Sequence, residues 1–127
     1  MPAERAQLSL DLSFTDAEFQ KLIFGRIPEQ MEDKWFIFFE PPWLHFHRSW
    51  TGDCIYQVRF HSDGSTQRIA EVVANRNPNQ YRPQTDEQDT LLVSILLYDQ
   101  VGRDSNALWE KYAQSRKSRG NSPRDSP

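Results

Sequence analysis

An Asp-Gly pair at positions 63 and 64 restricts the fold of this chain more than any other sequence feature. It separates two runs, residues 54–61 and 66–74, that are rich in β-branched and aromatic side chains. Such runs favour β-strands. Asp-Gly suits the tight turn between antiparallel strands because both residues tolerate a positive φ. The sequence therefore predicts a β-hairpin in this region.

The turn also predicts which residues of the hairpin lie opposite each other. With Asp63 and Gly64 as the two loop residues, the opposite pairs are Val58 with Ile69, Tyr56 with Glu71, Cys54 with Val73, and Arg59 with Arg68. Two arginines that face each other across a strand pair are unfavourable. We therefore expect their face to be open to water, or to hold an acidic group or a bound anion between them.

Other patterns predict further strands before the hairpin. Residues 8–14 alternate apolar and polar side chains, which is the period of a half-buried strand. Residues 35–39 are apolar on both faces, as in a strand that is covered on both sides. A Pro-Pro turn then leads into another strand at residues 44–49.

Three helices are predicted from capping residues and apolar spacing. The first begins at the capping box of Thr15 and Glu18, and the second begins at that of Thr85 and Gln88. The second helix is apolar around most of its girth, so we expect a sheet to cover one side and another element or a second subunit to cover the other. The last helix presents Leu108, Trp109 and Tyr112 on one face.

The order of these elements predicts the fold class. A strand, a helix, four strands and two helices indicate an α+β fold, an antiparallel meander sheet of four to five strands with helices packed on one face. The length of 127 residues fits one domain, which we place at residues 1–113. Residues 114–127 are rich in Ser, Arg and Pro without apolar periodicity, which predicts a disordered basic tail.

Charge and composition argue against several classes of protein. The net charge is -3, and residues 116–127 hold four cations against one carboxylate, so the rest of the chain carries -6. An acidic body disfavours nucleic acid. The basic tail is either an arm for a nucleic acid or an acidic partner, or an ordinary frayed terminus, and we favour the frayed terminus. No apolar run reaches the roughly 18 residues of a membrane span, and the N-terminal residues lack the apolar core of a secretory signal. We expect a cytoplasmic protein without a nucleic-acid or membrane partner.

Residues 48–53 are the main candidate for a binding site. An arginine holds a phosphate or carboxylate through paired hydrogen bonds, a tryptophan face stacks on a base, and Gly52 lets the backbone approach a ligand. The alternative is that Arg48 only pairs with Glu40 or Glu71 at a sheet edge. The predicted ligand-binding residues are Arg48, Trp50, Thr51, Gly52, Asp53, Arg59 and Arg68.

His45 and His47 form a second candidate, for metal binding. On a strand both point to the same face, where a metal could bind the two imidazoles with Asp53 or His61 as the third ligand. Because a full ligand set is not evident from the sequence, we predict instead a polar strand face, with no metal and no cofactor. Cys54 is expected to behave as a small buried apolar residue rather than as a nucleophile.

The motifs DKWFIFF and LHFHRSWTG resemble those of small uncharacterised bacterial domains that carry a Trp-rich strand pair followed by R-S-W-T-G. The resemblance covers roughly the middle third of the chain. It implies that Arg48, Ser49, Trp50, Thr51 and Gly52 act as a unit. It also implies an accessory role beside ADP-ribosyl-hydrolase-type enzymes, with an ADP-ribose or NAD-related partner. It supplies no catalytic residue.

We therefore expect a bacterial interaction or accessory domain without its own catalytic activity, with a protein partner or a second copy of the chain as its partner. The alternative is a small-ligand-binding or hydrolytic domain that recognises a phosphate-bearing or ADP-ribose-like ligand at residues 48–53. In a hydrolytic domain, Arg48 would orient an anionic substrate and a histidine would act as the general base.

Overall fold

The computed structural model describes residues 1–27, 34–82 and 84–120, the last four of these by their backbone alone. The chain divides into two compact units, Met1–Pro83 and Gln84–Pro127. The first unit contains β1 (Arg5–Leu8), β2 (Ser13–Thr15), α1 (Asp16–Phe24), β3 (Trp35–Glu40), β4 (Trp43–Arg48), β5 (Cys54–Asp63) and β6 (Thr66–Asn75). The second contains α2 (Asp86–Val101) and α3 (Asn106–Gly120).

The strands form one antiparallel sheet in the order β1-β6-β5-β4-β3, and β2 also pairs with β6. Strands β3 to β6 are neighbours in the order of the chain, as in a meander. The predicted α+β class with an antiparallel meander is therefore confirmed, with six strands rather than four or five. The additional strand arises at the N-terminus of the chain.

Residues 8–14 do not form the single strand that their alternation predicts. They contribute the end of β1 and the start of β2, and both segments pair with β6 of the same chain. Leu8 pairs with Val72, and Ser13 pairs with Arg68. The chain from Leu8 to Ser13 is therefore one residue longer than the part of β6 that faces it. That surplus residue interrupts the ladder.

The hairpin of β5 and β6 is present, but its predicted register is wrong. Asp63 pairs with Thr66, so Gly64 and Ser65 are the two loop residues. Gly64 has a φ of 65° and Ser65 a negative φ, which is the pattern of a hairpin turn with glycine at its first central position. Further along, Ala70 is an extra residue in β6, because Arg59 pairs with Glu71 and Phe60 pairs with Ile69.

The corrected register removes the predicted contact between two arginines. The Arg59 Nε donates a hydrogen bond of 3.1 Å to Glu71 Oε1 across the strand pair. The Arg68 guanidinium forms ion pairs with Asp11 at 2.8 Å and with Asp63 at 3.7 Å. Each arginine therefore has its own acidic partner, and neither needs an anion between them.

The first unit buries one face of the sheet. Phe19 of α1 packs edge-on against Phe39 and Phe60, at ring-centroid distances of 5.4 and 5.2 Å. Thr15 and Glu18 form the predicted capping box at the start of this helix. The fully buried side chains of the first unit include Phe14, Leu22, Leu44, Phe46, Tyr56, Val58 and Val72.

The second unit has two helices with capping residues. Thr85 and Gln88 form the predicted capping box of α2, and Gly102 ends the helix with a φ of 85°. The side chains at positions 92–95 and 97 are buried within a single copy of the chain. No helix among residues 1–27, 34–82 and 84–120 is long and apolar enough to cross a lipid bilayer.

Helix α3 extends to Gly120, so it includes residues 114–120, which the sequence places in a disordered tail. The remaining tail residues, 121–127, lie outside the described part of the chain. At the start of α3, Asp104 Oδ1 accepts a hydrogen bond of 2.9 Å from the backbone N–H of Asn106. That residues 1–113 form one domain stays a prediction.

The contact between the end of α1 and β3 gives a prediction about stability. Gly25 has a φ of 75°, and a Cβ on it would overlap with the carbonyl group of Ile37. We expect Gly25→Ala to lower the free energy of unfolding by at least about 3 kcal/mol, because it adds a clash to backbone strain. The matched control is Gly64→Ala, which has a similar φ but open space around it, and we expect it to cost about 1 kcal/mol. Urea unfolding measures both values, and equal losses would contradict the close approach.

Candidate anion-binding pocket

The backbone of residues 48–53 closes on itself after β4. The N–H of Gly52 donates to the carbonyl of Arg48 at 2.8 Å, and the N–H of Arg48 donates to the carbonyl of Asp53 at 3.0 Å. The hydroxyl of Thr51 accepts a hydrogen bond of 3.2 Å from the N–H of Asp53. Gly52 has a φ of 78°, which an L side chain rarely adopts. These hydrogen bonds fix the backbone of the turn, and so the positions from which its side chains project.

The guanidinium group of Arg48 lies against aromatic rings of the sheet and of the loop after β6. Its central carbon is 4.7 Å from the centre of the Trp35 ring and 6.0 Å from that of Tyr81. Within the described residues, no carboxylate forms an ion pair with it. The alternative partners from the sequence are engaged elsewhere, since Glu40 pairs with His45 and Glu71 with Arg59.

Cation–π contact restrains Arg48 without consuming its hydrogen-bond donors. A guanidinium stacks through its flat faces, while its five N–H groups lie in the plane and point outward from the edge. An oxyanion at that edge can accept two of these hydrogen bonds. The aromatic contacts therefore hold a cation in place and leave it able to bind a ligand.

A pocket of about 300 Å³ lies beside this arginine. Its lining combines two cationic side chains, one indole and two neutral polar side chains, all from the first unit. Trp50 is 73% exposed, so one face of its large ring is accessible to a ligand. The lining residues are Lys34, Arg48, Trp50, Thr51 and Gln80.

Buried Asn75 positions the wall of the pocket that the loop after β6 contributes. Its side-chain N–H₂ donates to the carbonyl of Cys54 and to Gln80 Oε1, both at 2.8 Å. Its Oδ1 accepts a hydrogen bond of 2.7 Å from the N–H of Asn77. These bonds attach the loop to the start of β5 and orient the Gln80 amide.

One hydrogen bond and one ring stack hold the aromatic rings beside Arg48. The hydroxyl groups of Tyr81 and Tyr56 lie 2.6 Å apart, and both side chains are buried. Tyr56 in turn stacks on Trp35 at a centroid distance of 5.8 Å. The rings that contact Arg48 are therefore fixed by the core.

The structure brings together some of the predicted site residues and separates others. Arg48, Trp50 and Thr51 line the pocket, and Gly52 and Asp53 contribute through the backbone of the turn. Arg59 lies elsewhere in the sheet, paired with Glu71 and 5.8 Å from the Trp43 ring, and Arg68 is paired with Asp11 and Asp63.

Three residues of the site were not predicted from the sequence, namely Lys34, Tyr81 and Gln80. Lys34 directly precedes β3, and Ser49 donates a backbone hydrogen bond of 3.0 Å to its carbonyl. Tyr81 and Gln80 belong to an Asn-rich loop that carries no motif. Only the pairing of β3 with β4 could have indicated Lys34.

His45 and His47 lie on the same face of β4, as predicted, and a third side chain joins them. This is Cys54, and one ligand atom of each of the three residues lies within 4.8 Å of the others. No group that combines the two histidines with Asp53 or His61 occurs among the described residues. Cys54 is buried, as predicted, and its thiol lies 3.7 Å from the Tyr56 carbonyl.

Burial changes the protonation of two of these groups. It lowers the pKa of His45, while the hydrogen bond and charge of Glu40 act in the opposite direction. Burial also raises the pKa of the Cys54 thiol. Both groups are therefore uncharged in neutral solution in the absence of a bound cation.

Searches of protein-family models, curated proteins and solved structures find no match to this chain. The chemistry of the pocket is therefore inferred from its own residues.

The role of Asn75 gives a prediction about the pocket wall. Asn75→Ala removes three hydrogen bonds and leaves buried polar groups without partners, so we expect a loss of about 2 kcal/mol in the free energy of unfolding. Asn79→Ala is the matched control, because the Asn79 side chain is exposed. It should change stability by no more than about 0.5 kcal/mol. Equal effects in urea unfolding would show that Asn75 does not organise the loop.

Proposed function

We propose that this protein is a bacterial interaction domain without catalytic activity of its own, and that it recognises an anionic, ring-bearing ligand in the pocket beside Arg48. The observation that carries the proposal is an arginine held by two aromatic rings and without a carboxylate partner among the described residues. By contrast, Arg59 in β5 and Arg68 in β6 each pair with a carboxylate. The N–H groups at the edge of the Arg48 guanidinium can therefore bind an anionic ligand.

The other lining residues favour a ligand with two parts. Lys34 adds a second positive charge, which suits a phosphate or carboxylate group. The exposed indole of Trp50 can stack on a planar base, as aromatic side chains do with nucleotides. Thr51 and Gln80 can hydrogen-bond to sugar hydroxyls or base edges. A nucleotide or an ADP-ribose-like molecule combines these features, and such a partner is also what the R-S-W-T-G resemblance implies.

The position of the histidines supports binding rather than hydrolysis. Successive residues of a strand point to opposite faces, so His47 and Arg48 do not share a concavity. The ring of His47 contacts Phe36 and Phe38, whereas Arg48 contacts Trp35. A general base has to reach the substrate that the arginine would hold.

A cytoplasmic location is part of the same proposal. Nucleotides and NAD-related molecules are abundant inside cells, and the only cysteine of the chain is a free thiol. A free thiol persists in a reducing compartment.

A thermal-shift comparison tests the pocket. With ADP-ribose, NAD or AMP as the probe, we expect at least one to raise the melting temperature of the wild type. Arg48→Ala should weaken that binding at least tenfold, which corresponds to about 1.4 kcal/mol. Trp50→Ala changes an exposed side chain and should also weaken binding without loss of stability.

Arg59→Ala is the matched control for Arg48→Ala. Arg59 is also an arginine of the sheet beside a tryptophan ring, but it does not line the pocket. The Arg59→Ala variant should bind the probe as tightly as the wild type does. The proposal fails if no probe shifts the folded wild type, or if Arg59→Ala and Arg48→Ala lose binding equally.

A second candidate function is association with another copy of the chain, and an exposed apolar group at the end of α1 favours it. Phe24 is 89% exposed, Ile27 is 74% exposed and Ile23 is 37% exposed. Apolar side chains grouped on a surface often mark an interface between proteins.

Sedimentation velocity at increasing protein concentration tests this second function. We expect the wild type to form dimers and Phe24→Ser to shift the equilibrium toward monomer at least tenfold, because it removes the largest apolar surface of the group. Trp109→Ser is the control, since Trp109 is also an exposed aromatic residue but belongs to the second unit. A wild type that stays monomeric at every concentration would exclude this function.

A further inference from the structure

His45, His47 and Cys54 lie close together at the junction of β4 and β5, and their side chains do not line the anion pocket. We propose that these three side chains form a binding site for a divalent transition-metal ion that prefers nitrogen and sulfur ligands, with Zn²⁺ as its natural occupant. Two imidazoles and one thiolate form a ligand set that zinc accepts. The site is independent of the proposed anion pocket.

An irregularity in strand pairing creates the cluster. Phe46 pairs with Tyr56, but His47 pairs with Cys54, so Ile55 is an extra residue in β5. Without this bulge, His47 would pair with Ile55. Cys54 would lie one position further along β5, with its side chain on the opposite face of the sheet. The bulge therefore brings the thiol to the face that carries both histidines.

Hydrogen bonds determine which nitrogen of His47 is free to bind a metal. Its Nδ1 lies 2.8 Å from the carbonyl oxygen of Gly52. A carbonyl only accepts, so Nδ1 carries the proton and Nε2 carries the lone pair. Metal-binding histidines are typically oriented in this way by a bond from their other nitrogen.

The same reasoning applies to His45. Its Nε2 lies 3.2 Å from Glu40 Oε1, so Nε2–H donates to this carboxylate. Its Nδ1 then has the lone pair, which accepts a hydrogen bond of 3.2 Å from the Gln57 amide. A metal at Nδ1 replaces that amide, and Glu40 remains as the outer carboxylate that orients the imidazole.

The spacing of the ligand atoms requires little movement. Two ligands of a tetrahedral zinc ion are roughly 3.5 Å apart, and one potential ligand atom of each of the three residues lies within 4.8 Å of those of the other two. His47 is only partly buried, so its ring can move toward the other two. Phe38 contacts both imidazoles, at centroid distances of 4.8 and 5.3 Å, and restrains them on the same side.

Metal binding has a simple chemical balance. The S–H bond of Cys54 breaks, a bond between sulfur and the metal forms, and the proton leaves to solvent. Each imidazole binds the metal in its neutral form, through the lone pair of one ring nitrogen. Three protein ligands leave a fourth position for water or another small ligand.

Co²⁺ is the probe for the test, added without oxygen to the reduced chain of 127 residues. We expect one Co²⁺ per chain, with visible bands of tetrahedral cobalt and a near-ultraviolet charge-transfer band from a thiolate. Cys54→Ser should abolish the charge-transfer band, and His47→Gln should weaken Co²⁺ binding at least tenfold. His61→Gln is the control, because His61 is an exposed histidine outside the cluster, and it should bind as the wild type does.

A measurement on the wild type covers the case in which a Cys54 or His47 variant does not fold. Cys54 is the only cysteine, so alkylation by iodoacetamide reports on this thiol directly. One equivalent of Zn²⁺ should slow alkylation at least tenfold, whereas Mg²⁺ should have no effect. Arg48→Ala should keep this protection, which separates the metal site from the anion pocket. The proposal is overturned if Zn²⁺ gives no protection, if the charge-transfer band persists in Cys54→Ser, or if His61→Gln abolishes binding.

Discussion

Two bulges, one between β5 and β6 and one between β4 and β5, determine which side chains share a face of the sheet at the two sites of interest. A strand alternates its side chains between two faces, and one extra residue reverses that alternation relative to the partner strand. Ala70 is the extra residue in β6, and Ile55 is the extra residue in β5. The first decides which residue faces Arg59, and the second decides which residue faces His47.

The bulge at Ala70 explains the charge pairs of the sheet. With Gly64 and Ser65 as the loop residues, a regular ladder would place Ala70 opposite Arg59, and the bulge places Glu71 there instead, where it forms an ion pair. Arg68 then lies beside Asp11 from the segment between β1 and β2. Arg48 is different, because aromatic rings hold it and no described carboxylate pairs with it. This difference favours Arg48 as the arginine for a ligand.

The bulge at Ile55 and the adjacent turn create two chemically distinct sites at one end of β4. Arg48 and Trp50 contribute to a cationic pocket with aromatic surface. His47 points to the other face, where it meets Cys54. The Gly52 carbonyl joins the two regions, because it belongs to the turn and accepts the hydrogen bond of His47. Consecutive residues of one strand can thus support separate functions, since alternation keeps their side chains apart.

The sequence by itself determined the local features of this protein. Both predicted capping boxes and the presence of a tight hairpin are confirmed, because each depends on residues a few positions apart. The α+β class also followed from the order of the elements.

Only the tertiary structure decided the strand register and the composition of the two sites. A bulge adds one residue without a sequence pattern, so neither the Arg59–Glu71 pair nor the position of Cys54 beside His47 could be derived from alternation. Lys34 and Gln80 reach the pocket from segments far apart in sequence. Such contacts depend on how strands pair over long range, and local preferences carry no information about that pairing.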